Sequence, residues 1–510
     1  MKHYCRSLVL VLSLLSLLGS SLGYANRVVV AQGVDATTLD PNDHRETSTD
    51  SILYNIFDPL LARNAAGEIV PWLATEVEAV DDTTWDIVLR EGVQFHNGEV
   101  LDAETVRFNF ARLLDPERPL AQSGFWAPVT AVEVTGPLSL RIETREPFPV
   151  FQSMLTQIHM VPQAYFEEVG AEVFASNPIG TGPYRLQRWS RDQELVLEAF
   201  EDYWAGTPSI QEVVFRPIPE GSSRVAELLT GGVDIITNLV PEAAMAVEAS
   251  DMADARSVPS LRNIFIVLNV PGEGPLADAR VRQAINYATD VQAIVDAVLD
   301  GNAVVVGCPL NRYMFGYDED LCAPFDYDPE RARALLAEAG YPDGFSMTLG
   351  SPSGRYLNDQ QVAEAVVGQL RNVGINVDLQ VREWSSYVGG LLERQVPTDA
   401  YLIGWGNNSQ FDADATLNNF LFGGTLEDGP GPVVFTYFFN PDFDRRVLAA
   451  RSTVDEAERM QLYREALSIV RDEAPWLFLY QQGDVYGVNR RVNWQPRADE
   501  FILLFEASLD

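Results

Sequence analysis

The sequence predicts an α/β protein of more than one domain, and three observations carry that prediction. The first is a complete βαβ unit. Phe345 to Leu349 reads as a strand, and Gly350-Ser-Pro-Ser-Gly-Arg-Tyr356 as a loop. Asn358 or Asp359 then opens a helix whose Val362, Val366, Leu370 and Val373 share one face, and after Gly374 a second strand runs from Ile375 to Val381. The second is a strand-turn-helix-helix order between Pro259 and Gly301. Ile264 to Val270 is β-branched and aromatic, Asp278 stands at an N-cap ahead of Val281, Ala284, Ile285 and Ala288, and Asp290 opens a further helix closed by Gly301. The third is size: 510 residues at 46% hydrophobic content exceed one core and suffice for two or three domains.

The rest of the chain follows the same rhythm. Arg27 to Gln32 is a strand, Ser51 to Leu61 has helical spacing, Trp85 to Arg90 and Leu138 to Glu143 alternate as strands, and Asp102 caps a helix carrying Val106, Phe110 and Leu113. Gly180-Thr-Gly-Pro-Tyr184 is a structural turn, because it lacks the spacing of a phosphate-binding glycine loop. Tyr184–Trp189, Leu195–Ala199 and Val213–Arg216 are strands, Arg224 to Leu229 is a helix, and Val233 to Ile236 is a short strand. Later, Asp328 to Ala339 is a helix and Ala400 to Ile403 a strand ending in Gly404-Trp405-Gly406-Asn407-Asn408. Thr453-Val-Asp-Glu456 forms a capping box before a long helix, and Trp476 to Tyr480 is a buried strand.

Composition excludes several functions. A net charge of −37 suits neither nucleic acid nor an anionic membrane surface. Lys2 is the one lysine, so the chain beyond it has neither a Walker phosphate loop nor a Schiff-base lysine. His44, His96 and His159 supply no H-E-x-x-H zinc motif, no G-x-S-x-G elbow occurs, and no cofactor motif is present, so no cofactor is expected.

Residues 1–25 read as a signal peptide. Lys2 and Arg6 precede an apolar run from Leu8 to Leu18, with small residues for cleavage near Ala25. Cys5 precedes the run and is no lipobox cysteine. Export favours a disulfide between Cys308 and Cys322 over a metal pair, which lacks a nearby third ligand.

Several segments together resemble the family 5 extracellular solute-binding proteins, the peptide-, opine- and nickel-type receptors of ABC importers. They are the Pro259–Gly301 stretch, Phe57-Asp-Pro-Leu60, Gly67 to Ala74, Leu89 to Gly98, Asn177 to Tyr184, Asp202-Tyr-Trp204 and Asp328 to Gly344. The resemblance implies a two-lobed periplasmic-binding-protein type II fold with an extra inserted subdomain. Lobe 1 would comprise residues 26–60, 178–260 and 475–510, the subdomain 61–177, and lobe 2 residues 261–474. It also implies hinge closure on a solute, docking on permease subunits in the inner membrane, and a monomer that performs no catalysis.

Ligands of open α/β sheets sit beyond the carboxyl ends of strands. Two loops meet that rule: Gly350–Tyr356, with Arg355 and Tyr356, and Gly404–Asp414, with Trp405, Asn407, Asn408, Asp412 and Asp414. Arg355 suits a carboxylate, Trp405 suits stacking, and the acids suit an ammonium. The plain alternative for Arg355 is a pair with Asp359, and for Trp405 core packing. Arg262 and Thr49 are further candidates. The ligand expected is a short peptide or peptide-like solute bearing a carboxylate, with an opine, oligosaccharide or metal-chelate receptor, or a secreted hydrolase, as alternatives.

Overall fold

The computed structural model describes residues 26–268, 274–392, 398–406, 411–421 and 438–510. The proposed signal segment, Asn407 and Asn408 lie outside them, as does the end of the strand expected to reach Val270.

Among the described residues one eleven-stranded sheet runs through the molecule. From one edge its order is Ile375–Glu383, Phe345–Ser353, Ala400–Gly406, Ala253–Leu268, Trp476–Asn489, Ile235–Ile236, Arg27–Gln32, Glu212–Pro217, Glu194–Ala199 and Tyr184–Ser190, with Ala303–Val305 also paired to Trp476–Asn489. The expected βαβ unit is present, its two strands parallel and in register from Phe345↔Ile375 to Ser353↔Glu383.

Three apolar cores divide the chain. Val28 and Val30 pack on one face of the first strand with Leu195, Val213 and Val488. Val29 and Ala31 pack on its other face with Val214 and Leu228. A strand flanked by parallel neighbours and covered on both faces must be apolar throughout, which explains the Val-Val-Val-Ala run. A second core gathers Ile264, Leu349, Val366, Leu402, Tyr463 and Trp476. The third lies under a four-stranded antiparallel sheet, Ala74–Asp81, Thr84–Leu89, Ser139–Thr144 and Val129–Gly136, with Phe110 and Trp126 at its centre.

Two long antiparallel strands join the first core to the second. Ala253–Leu268 and Trp476–Asn489 are 16 and 14 residues long. Ala253 and Val488 lie in the first body, whereas Ile264 to Leu268 and Trp476 to Tyr480 lie in the second. Between them the ladder slips: its register shifts between Pro259 and Asn263 and again between Ile264 and Phe265. Side chains fill part of that gap, as Ser260 Oγ donates to Gln482 O at 2.8 Å and Gln481 Nε2 donates to Ser260 O at 2.7 Å.

Helix starts follow the expected caps. Asp102, Asp278, Asp290 and Asp328 each accept a backbone N–H two or three residues on. The long helix Glu456–Glu473 is capped by Asp455, which accepts from Glu458 N at 2.9 Å, not by Thr453, whose hydroxyl donates to Ala449 O. Cys308 and Cys322 form a disulfide with S–S 2.09 Å. No helix among the described residues is long and apolar enough to cross a membrane.

Candidate ligand-binding cleft

The two strand-end loops begin later than the sequence suggests. Gly350 to Ser353 continue the strand, so the loop is Gly354 to Asn358. Trp405 is likewise within a strand, opposite Asn263.

Asp359 builds the first loop. Its carboxylate accepts the N–H groups of Gly354, Arg355, Tyr356 and Gln360 at 3.2, 2.9, 3.1 and 2.9 Å. The acid is thereby consumed by backbone, and the alternative of an Arg355–Asp359 side-chain pair is not what forms. Among the described residues no carboxylate pairs with Arg355, and its Nε has no hydrogen-bond partner, although the side chain is only 8% exposed. Its guanidinium carbon lies 5.0 Å from the Tyr356 ring centre and 5.5 Å from that of Trp384. Burial, and next the charge of Arg262, push the Arg355 guanidinium below its ordinary value.

Arg355 faces the other lobe across a hollow of about 40 Å³. The opposite wall comes from Gln32 and Gly33 at a strand end, from Thr47, Ser48 and Ser51, and from Asn238, Asp484 and Glu500. The lobes touch here. Asn238 Nδ2 donates to Arg355 O at 3.1 Å, and a Cβ on Gly33 would lie 2.1 Å from Gly354 O. Only glycine at 33 permits that approach, since the obstructing atom is backbone. A larger cavity of about 430 Å³ adjoins at Val34, between Thr37, His44 and Arg45 on one side and Glu383, Trp384 and Ser385 on the other.

The remaining expected residues divide. Arg262 is not available to a ligand: its Nη2 donates to Glu500 Oε2 at 2.7 Å and Thr47 Oγ1 at 3.0 Å, both from the opposite lobe. Tyr356 is buried, its hydroxyl donates to Gly404 O at 3.4 Å, and its ring supports both arginines instead of lining the hollow. Asp412 presents no free carboxylate, because Arg459 takes both oxygens at 2.7 and 2.8 Å. Asp414 is buried beside Arg451, 3.8 Å away. Thr49 is fully buried, and its neighbours Thr47, Ser48 and Ser51 reach the hollow in its place. Trp405 is half-buried against the second core. Gly404, expected to admit a ligand, instead makes room for Ile264, Arg262 and Tyr356, which a Cβ would meet at 2.6–2.9 Å.

Sequence reasoning missed Asp484, Glu500, Ser48, Asn238 and Asn263. Asp484 Oδ1 accepts from Gln482 Nε2 at 2.6 Å while Oδ2 has no partner. Burial, then the Glu500 charge, raise its carboxyl well above the ordinary range. Neither amide atom of Asn263, 1% exposed, has a partner. The available signal was the Gln-Gln-Gly-Asp run at 481–484, a polar interruption of an apolar strand.

Two lobes joined by crossing strands, with buried, partly unpartnered charge between them, define a clamp for a small polar solute. Residues 68–428 match the bacterial extracellular solute-binding proteins, family 5 (middle region). The glutathione-binding protein GsiB of Salmonella typhimurium is 30% identical over 464 residues, 89% of this chain and 88% of that one. Two solved structures share the fold: DppA of Helicobacter pylori in complex with the peptide STSA, and a dipeptide-binding protein of a Pseudoalteromonas species in complex with Met-Leu. The first has a TM-score of 0.85 at 24% identity over 95% of this chain and 98% of that one. The second has a TM-score of 0.87 at 23% identity over 95% of this chain and 100% of that one. The chain belongs to the family 5 extracellular solute-binding proteins.

Proposed function

We propose that the chain is the periplasmic receptor of an ABC importer. It is exported by cleavage near Ala25, clamps a short peptide or peptide-like solute as a monomer, and delivers it unchanged to permease subunits. Lobe 1 comprises residues 26–60, 178–260 and 475–510, with 61–177 inserted into it, and lobe 2 comprises 261–474. The buried Arg355 guanidinium without an acceptor carries this reading. A cation held out of water wants a counter-charge, and a carboxylate between the lobes supplies one while bridging both walls. A solute that contacts both lobes selects the closed arrangement. Glutathione, the printed ligand of relatives about a third identical, is a peptide-like polycarboxylate and the first compound to test.

A thermal-shift series with glutathione and Met-Leu tests the proposal. At a hundredfold excess over Kd a bound compound raises stability by about 2.7 kcal/mol. The midpoint is expected to rise, with the compound recovered intact by mass spectrometry. Arg355→Ala is expected to weaken binding about tenfold or more. A response only to a bare metal ion or a sugar, or recovery of a converted product, overturns the reading.

A further inference from the structure

The Arg355 hollow contains a second unsatisfied charge, and it has the opposite sign. Of the four charged groups gathered there, Arg262 and Glu500 neutralise each other at 2.6 Å. That leaves Arg355 and Asp484, which line the same hollow, are 8% and 5% exposed, and form no ion pair with one another. Asp484 is held in place, not loose. Gln482 donates to its Oδ1 at 2.6 Å, and the Gln482 side-chain oxygen accepts from Leu357 N at 3.3 Å, tying the carboxylate to the Arg355 loop. Oδ2 and the nearby Ser48 Oγ are left without partners. A buried cation and a buried anion that face one space without touching are stable only when something bearing both charges fits between them.

Building on the receptor reading above, we propose that Asp484 is the amino-group subsite of the cleft, so that the site selects zwitterions whose ammonium meets Asp484 and whose carboxylate meets Arg355. The small hollow takes only a few heavy atoms, which favours an α-amino-acid head, with the rest of the solute in the adjoining 430 Å³ cavity. The groups facing Asp484 are Glu500, Arg262, Arg355 and Tyr486. In the empty cleft burial keeps the Asp484 carboxyl protonated at neutral pH. An arriving ammonium favours the carboxylate, and the proton leaves to solvent.

Calorimetric titration of the full mature chain tests this with glutathione and with its N-acetyl derivative, in two buffers of different ionisation enthalpy at pH 7. The wild type is expected to bind the acetylated compound at least about tenfold more weakly, and to release about one proton with glutathione. Asp484→Asn is expected to abolish both the discrimination and the proton release. Equal affinity of the wild type for both compounds overturns the proposal without any need of the variant, as does discrimination that survives in Asp484→Asn. If amine-free carboxylates bind the wild type while glutathione and Met-Leu do not, the zwitterion site falls and the carboxylate receptor stands. If no carboxylate of either kind binds, the receptor reading of this cleft fails and the zwitterion site with it.

Discussion

Arg262 and Arg355 lie over the same tyrosine ring, 5.6 and 5.0 Å from its centre, yet their fates differ. Arg262, on the strand that crosses between lobes, meets Glu500 and Thr47 from the far side. Arg355, on a loop, meets no acceptor among the described residues. Both guanidiniums are buried to a similar degree, so desolvation does not separate them. What separates them is whether the opposite lobe brings a carboxylate. One arginine is spent on holding the closed arrangement, and the other is left for whatever enters.

Arg262→Ala should break this comparison most visibly. It strands Glu500 as an uncompensated buried charge, at a cost of about 3–5 kcal/mol. Chemical denaturation is expected to show that loss. Stability within about 1 kcal/mol of wild type would mean Arg262 is not the spent partner. Gly33→Ala comes next. A methyl facing Gly354 O at 2.1 Å keeps the lobes apart, so affinity should fall by up to about a hundredfold with little change in the unfolding midpoint. Affinity equal to wild type would show that closure does not need this contact. Arg355→Ala should then lower affinity about tenfold or more while leaving stability of the empty protein unchanged or slightly raised, since an unpaired buried charge is removed. A large stability loss there would place Arg355 with Arg262. Asp359→Asn should have the smallest effect, a few-fold in affinity, because it weakens one acceptor of the loop that carries Arg355.

Much of the fold was legible because periodicity and caps report local structure. The βαβ unit at 345–381, the Asp caps and the doubly buried first strand all follow from short-range chemistry. The crossing strands were half legible: Trp476 to Tyr480 is apolar, but the strand continues through Gln481 to Asn489, where partners from both lobes satisfy polar side chains. The site was less legible for the same reason. Arg355 stood out by its position after a strand and before a helix. Nothing near Asp412 in sequence announces Arg459, 47 residues on, as its partner. Nothing near Arg262 announces Glu500, 238 residues on, so these residues read as free when the fold has paired them. Asp484 and Ser48 acquire meaning only when the lobes meet.

The most direct measurement is a crystal structure of the mature chain with glutathione bound. The account predicts the lobes closed, a solute carboxylate within about 3 Å of the Arg355 guanidinium nitrogens, and the Arg262–Glu500 pair intact. A solute bound away from this cleft, or Arg355 paired with a carboxylate of the protein itself, would contradict it.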